Sequence, residues 1–260
     1  MRNAECGMRN PAGRMSRLKK PGNLEFIMRN QESGRPDVRA EDPVVLRAKV
    51  MFMKIELENV LPAEIEKRSF EIISEELGME LSADIAPIVK RCIHTSADFD
   101  YAQNLCFSEG VVEKALNAVR RGTNIVTDTQ MTKSGINKKN FSRFGGEVLC
   151  FMADEDVARA AKENGTTRAV ASMDKAAALG RPLIFAVGNA PTALVRLYEL
   201  IEDGLIKPEL IIGVPVGFVN VVQSKELIMQ TNIPYIVARG RKGGSNIAAC
   251  IVNALLYMIE

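Results

Sequence analysis

From residue 62 the order of apolar and polar side chains takes on a helical period. Phe70, Ile73 and Leu77 fall on one face, Pro62 suits a first helical position, and Gly78 stops the run. Ile85, Ile88, Val89, Cys92 and Ile93 then follow the i, i+3, i+4, i+7, i+8 template. A third helix is predicted over 109–121, with Val112, Leu116 and Val119 inward and Gly122 as its C-terminal stop. Beyond it the period changes. Short β-rich runs at 124–128, 147–152, 182–187, 209–214 and 235–238 alternate with helical segments at 155–164 with 167–179, 191–202, 224–230 and 245–259. This alternation predicts a doubly wound α/β fold, a mostly parallel sheet with helices on both faces, preceded here by N-terminal helices. Such sheets hold their ligands outside the carboxyl ends of the strands.

The first fifty residues show neither period. They carry 11 Lys and Arg against 6 Asp and Glu, while the remainder carries 23 against 26. The basic excess of the chain is therefore confined to its start. No apolar stretch follows the early charges as a secretory signal requires, and the acids Glu5, Glu25, Glu32, Asp37, Glu41 and Asp42 argue against a transit peptide. Residues 1–52 are expected to be a disordered extension, or the product of a start codon assigned too far upstream, and 53–260 a single domain.

Composition narrows the class further. With 260 residues, 47% hydrophobic and 25% charged, the chain can build one substantial core. No uninterrupted apolar stretch is long enough for a membrane span. The five cysteines are scattered and form no CxxC pair, which argues against a disulfide framework or a zinc site and for a reducing cytoplasm. One histidine leaves little material for a metal centre, so no metal is expected. Charges in the body are interleaved, and nothing there suggests a nucleic-acid face.

The strand ends carry the candidate chemistry. Thr127-Asp128-Thr129-Gln130-Met131 follows the first run and Val187-Gly188-Asn189-Ala190-Pro191-Thr192 the third. Gly213-Val214-Pro215-Val216-Gly217-Phe218 follows the fourth. Arg239-Gly240-Arg241-Lys242-Gly243-Gly244-Ser245-Asn246 follows the fifth. Two of these are strand–loop–helix joints with glycines, and helix N-termini attract anions. Each joint is either a ligand site or a tight turn of the fold; two of them beside Arg239, Arg241 and Lys242 favour a multiply anionic ligand. Neither GxxxxGK[ST] nor a GxGxxG after the first strand occurs, which disfavours a nucleotide enzyme.

His94 stands at the end of the second predicted helix, one position off its apolar stripe and three residues after Arg91. A histidine there is either an exposed or structural side chain or an acid/base group, imidazole being suited to exchange protons near neutral pH. Asp98 and Asp100 orient or repel it, depending on where the chain turns.

The segment Arg91-Cys92-Ile93-His94-Thr95-Ser96-Ala97-Asp98-Phe99 resembles the signature around the catalytic histidine of precorrin-8X methylmutases. Glu66-Lys67-Arg68-Ser69-Phe70, Ile125-Val126-Thr127-Asp128, Gly188-Asn189-Ala190-Pro191-Thr192-Ala193-Leu194, Pro215-Val216-Gly217-Phe218-Val219 and Arg239-Gly240-Arg241-Lys242-Gly243-Gly244-Ser245 are similar to that family too. The likeness runs from about residue 57 to 256 in the family's order; Gln223, before Ser224-Lys225, departs from an expected acidic residue. The resemblance implies an isomerase of cobalamin biosynthesis that moves a methyl group from carbon 11 to carbon 12 of precorrin-8 or cobalt-precorrin-8. It implies hydrogenobyrinate or cobyrinate as product, no dissociable cofactor, and a homodimer with sites completed near the subunit interface. His94 would protonate a ring C nitrogen and later recover the proton. Ser69 and Arg91 match substrate-contacting positions. Thr127, Asp128, Asn189 and Pro215 line the strand ends, Met131, Val216 and Phe218 would face the ring, and Arg239, Arg241 and Lys242 would hold rim carboxylates. The alternative is a non-catalytic tetrapyrrole-binding protein on the same fold, which has no need of His94. A third is an α/β enzyme acting on a phosphorylated small molecule, favoured only by the anion-friendly joints.

Overall fold

A computed structural model describes residues 58–259. The chain divides into two units, Met1–Glu58 and Asn59–Glu260. The extension expected over 1–52 lies outside the described residues, and the architecture below is that of the second unit.

In chain order its elements are α1 (Ile65–Glu76), α2 (Ala86–Ser96), α3 (Tyr101–Asn104), β1 (Leu105–Phe107), α4 (Val111–Arg120), β2 (Asn124–Thr127), α5 (Gln130–Gly135), α6 (Lys138–Ser142) and β3 (Val148–Leu149). They continue with α7 (Glu155–Glu163), α8 (Arg168–Ala177), β4 (Leu183–Val187), α9 (Pro191–Glu202), β5 (Leu210–Gly213), α10 (Val221–Met229), β6 (Tyr235–Ala238) and α11 (Ser245–Tyr257). The six strands lie in the order β1-β6-β5-β4-β2-β3. Every neighbouring pair is parallel except β1 with β6. The mostly parallel α/β class predicted from the alternation is the observed one.

Both faces of the sheet are covered, so its middle strands β4 and β5 are free of polar side chains at every position rather than at alternate ones. In β4, Ile184 and Ala186 point into a core shared with α2, α4 and α11; Leu183, Phe185 and Val187 point into a second core under α8, α9 and α10. Phe141 and Phe185 are among the largest wholly buried side chains. Each such burial contributes about 1.5–3 kcal/mol. The helix α11 is apolar on almost all sides because α2, α5 and the sheet surround it.

The structure departs from the predicted elements in several places. Helix α1 begins at Ile65, with Pro62 in the turn before it, and the four-residue α3 was not predicted. Three residues are too few to show a period, and β1, which pairs Leu105 with Ala238, was not predicted. The run 147–152 is a strand only at Val148 and Leu149, where an edge strand has β2 as its single neighbour. Helix α10 begins at Val221, not at 224, because Asn220 at φ 56° turns the chain into it; the Ser224 hydroxyl donates back to the Val221 carbonyl at 2.9 Å. Short α5 and α6 also escaped prediction. They are nucleated by side-chain caps, Thr129 accepting from the Thr132 N–H and Asn137 from that of Asn140.

From β2 the chain goes outward to β3 and then returns to β4 on the other flank of β2, so the carboxyl ends of β2 and β4 mark the switch point of the sheet. Gly188, just after β4, packs directly on the start of α11. A Cβ there would lie 2.7 Å from the Ser245 Cα and 2.8 Å from its nitrogen, both backbone atoms. Gly188→Ala is therefore expected to destabilise the fold by about 1–3 kcal/mol, the usual cost of overpacking. Denaturant unfolding checks this; an unchanged midpoint would mean that α11 yields freely.

Candidate active site

The side chains of Thr127, Asp128, Thr129 and Ser245 and the turn at 188–190 come together at the switch point. Asp128 is closed to solvent, and its two carboxylate oxygens accept from the N–H groups of Gly188 at 2.9 Å and of Asn189 and Ala190, each at 2.7 Å. Burial pushes the carboxyl above its ordinary value, and the three N–H donors pull it back. The anion expected at the joint before α9 is thus supplied by the chain itself. Thr127 is equally enclosed, its hydroxyl donating toward the Thr129 and Leu149 carbonyls. Thr129 in turn shares a hydroxyl contact of 2.9 Å with Ser245, tying the start of α5 to the start of α11. Pro215 is buried, whereas Asn189 is exposed beside this network.

The second joint, the 239–244 loop before α11, is only partly available to an anion. Lys242 was expected to present a free charge. Instead its ammonium lies 2.6 Å from Asp100 and 2.7 Å from Asp98, and these carboxylates hold it above its usual value. Lys242 in turn holds the Asp98 carboxyl below its own. Arg239 is paired as well, 3.3 Å from Glu226. The physical reason is the α2–α3 turn: Ala97, at φ 54°, ends α2 and swings Asp98 and Asp100 onto the loop. These are exposed pairs worth at most about 1 kcal/mol each, but they cancel charge locally. Arg241 has no ion-pair partner among the described residues, and its guanidinium stands 5.4 Å from the Phe218 ring centre. Phe218 is 81% exposed, and Met131, Val216 and Val219 are exposed too.

His94 occupies the last turn of α2 and is exposed. Its ring is 5.3 Å from that of Phe70, tilted by 50°. Neither ring nitrogen has a hydrogen-bond partner among the described residues, so both are open to an incoming ligand. One turn back, Arg91 is fixed from three sides. It pairs with Glu66 at 2.7 Å and lies over the rings of Tyr257 and Phe70, at 4.6 and 5.3 Å. Such a guanidinium is held by geometry rather than by chance rotamers. Ser69 donates to the Ile65 carbonyl within α1 at 2.8 Å. A shallow open depression of about 570 Å³ runs along α1 beside Arg91, lined by Glu66, Phe70 and Ser74.

The candidate residues therefore form two groups. Ser69, Arg91 and His94 lie on α1 and α2; Met131, Asn189, Pro215, Val216, Phe218, Arg239, Arg241 and Lys242 lie at the strand ends. The contacts of Asp98 and Asp100 with Lys242 tie the end of α2 to the strand-end loop. Thr127 and Asp128 stand beneath that surface rather than on it. One residue of the site is not among those the sequence singled out. Lys225 is wholly buried, its ammonium donating to the Gly240 and Lys242 carbonyls at 2.8 and 2.9 Å. Burial without a carboxylate beside it brings its pKa down to about 8. A signal existed: Val221, Ser224, Lys225 and Ile228 share the inward face of α10, so the lysine sits on an apolar stripe.

Fold and site together define a doubly wound α/β protein with an exposed apolar rim at the carboxyl ends of its strands and, on α2, a histidine one turn from an ordered guanidinium. The chain belongs to the precorrin-8X methylmutase family, whose pattern matches residues 64–258. It is 44% identical over 202 residues to the cobalt-precorrin-8 methylmutase of Priestia megaterium, covering 77% of this chain and 90% of that one. With the cobalt-precorrin-8 methylmutase of Salmonella typhimurium it shares 45% identity over 209 residues, covering 76% and 96%. A crystal structure of the precorrin-8X methyl mutase from Thermus thermophilus superposes with a TM-score of 0.69 at 38% identity, covering 75% of this chain and 97% of that one.

Proposed function

We propose that this chain, through a single domain over 53–260, moves a methyl group from carbon 11 to carbon 12 of precorrin-8 or cobalt-precorrin-8. The product is hydrogenobyrinate or cobyrinate, on the route to cobalamin. The observation that carries the proposal is His94, an exposed imidazole with both nitrogens unengaged, beside the fixed Arg91, in a chain of this family. His94 donates its proton to a ring C nitrogen, which leaves the adjoining conjugated system electron-poor. The carbon 11–methyl bond breaks as the carbon 12–methyl bond forms, and the nitrogen returns the proton to His94. Substrate and product are isomers, so no oxidant, methyl donor or nucleotide enters the balance and no cofactor is called for.

Substrate recognition divides between charge and shape. A corrinoid is a broad apolar disc with carboxylates around its rim. Arg241 takes a rim carboxylate, Met131, Val216 and Phe218 lie against the disc, and Asn189, Ser69 and Arg91 complete the contacts. Arg239 and Lys242, being paired, shape their loop, and Thr127, Asp128 and Pro215 support the surface from below. The depression along α1 is too open to enclose such a ligand, which supports a homodimer whose second subunit closes the site. No helix among the described residues is long and apolar enough to cross a membrane. The free cysteines Cys92, Cys106, Cys150 and Cys250 support a reducing compartment, and we assign the protein to the cytoplasm.

Incubation with precorrin-8, and separately with its cobalt form, tests the proposal. Absorption spectra and NMR should show the methyl group relocated at unchanged mass, with light scattering giving a dimer. A protein that binds the substrate and returns it unaltered is a carrier, and that result would overturn the assignment. A fully active monomer would remove the dimer.

A further inference from the structure

The 239–244 loop has little intrinsic reason to hold one shape. Gly240, Gly243 and Gly244 all have positive φ, at 80°, 156° and 138°, and glycine loses more conformational freedom on ordering than any other residue. Yet the backbone around Arg241 is held at three successive carbonyls. The Lys225 ammonium takes those of Gly240 and Lys242, on either side of Arg241. The carbonyl of Arg241 itself accepts from the Gly217 N–H at 3.2 Å. The side chain follows the same partner loop, since the guanidinium stacks on Phe218, the residue next to Gly217. A shorter donor on α10 would not span two carbonyls, and an apolar one would leave both half-buried carbonyls without this partner.

We infer that Lys225 is a positioning residue that presents the Arg241 guanidinium to the substrate. This rests on the reading above in which Arg241 binds a rim carboxylate. Lys225 touches no ligand, being wholly buried; it acts through the loop it clamps. Its two bonds are charge-assisted and so stronger than a neutral side chain would make. With the clamp released, Arg241 keeps its charge but must be ordered at the moment of binding, and affinity falls while the chemical step at His94 is untouched.

The test is a double-variant cycle on the full chain with precorrin-8 as substrate: wild type, Lys225→Met, Arg241→Gln and the pair together. Lys225→Met is expected to raise KM about tenfold with kcat near wild type, the scale of a lost charge-assisted contact. Arg241→Gln is expected to raise KM by about ten- to a hundredfold. The paired variant should be no worse than Arg241→Gln alone, because the two act in one chain of cause. Lys225→Gln keeps a donor in the interior and serves in place of the methionine variant if that one does not fold. A lowered melting temperature with unchanged KM would overturn the inference by making Lys225 merely structural. So would a tenfold loss that persists in the Arg241→Gln background. Wild-type KM in Arg241→Gln would sink the carboxylate reading itself, whatever the lysine variant does.

Discussion

His94→Ala is expected to slow single-turnover methyl migration by about a hundred- to ten-thousand-fold, the usual consequence of deleting a positioned general acid. Substrate binding and folding should change little. The side chain is exposed on the last turn of α2, where alanine is the best helix former and no hydrogen bond among the described residues is lost. What stability it does contribute is the tilted contact with Phe70, worth about 0.5–1.5 kcal/mol at most. Rate, binding and thermal stability measured on the same variant therefore separate the possibilities. A carrier shows no turnover in either protein. A structural histidine shows a lower melting temperature and unchanged turnover per folded molecule. A well-folded variant that isomerises precorrin-8 at the wild-type rate would end the acid/base proposal.

The fold was legible where a period had room to repeat. The buried strands β4, β5 and β6 announce themselves as short, mainly apolar runs between helices, because a parallel sheet covered on both faces favours apolar side chains; β2 shows the same signal only at Ile125 and Val126, between the buried polar Asn124 and Thr127. What was missed is short. The strand β1 has three residues and is defined by its pairing with β6, a long-range fact that no local window contains. The helices α5 and α6 have six and five residues and are set by caps rather than by an apolar stripe. At Asn220 a left-handed turn, rare for a residue other than glycine, moved the start of α10 by three positions.

The site was legible in its ingredients and not in its pairings. Sequence supplied the basic triplet, but which cation is free depends on Asp98 and Asp100, some 140 positions away from Lys242 and brought to it by the turn after α2. It supplied both helix joints, yet one of them is filled by Asp128, a residue that precedes Gly188 by 60 positions. Charge neutralisation of this kind follows from tertiary contact alone. Lys225 is the converse case. Its place on the apolar face of α10 is visible in the helical period, and only the structure shows the two carbonyls that make burying an ammonium tolerable.

Asp128→Asn is expected to destabilise the domain by about 2–4 kcal/mol, because the buried Gly188 N–H and the half-buried N–H groups beside it lose acceptors that solvent replaces poorly. Both carboxylate oxygens are in use, one by Gly188 and the other by Asn189 and Ala190. An amide has one oxygen. Placed toward Asn189 and Ala190 it turns its NH₂ against the Gly188 N–H; placed the other way it turns that NH₂ against two donors. Either choice sets donor against donor in a closed interior, and Gly188 cannot retreat because Ser245 backs it directly. For a domain of this size the loss corresponds to a fall in melting temperature of about 5–15 °C. The same measurement settles the part Asp128 plays in the site. A carboxylate that served mainly by touching substrate would leave the melting temperature in place and raise KM. One that holds the turn lowers the melting temperature in the absence of any ligand. An unchanged melting temperature would show that the three N–H bonds contribute nothing to the fold.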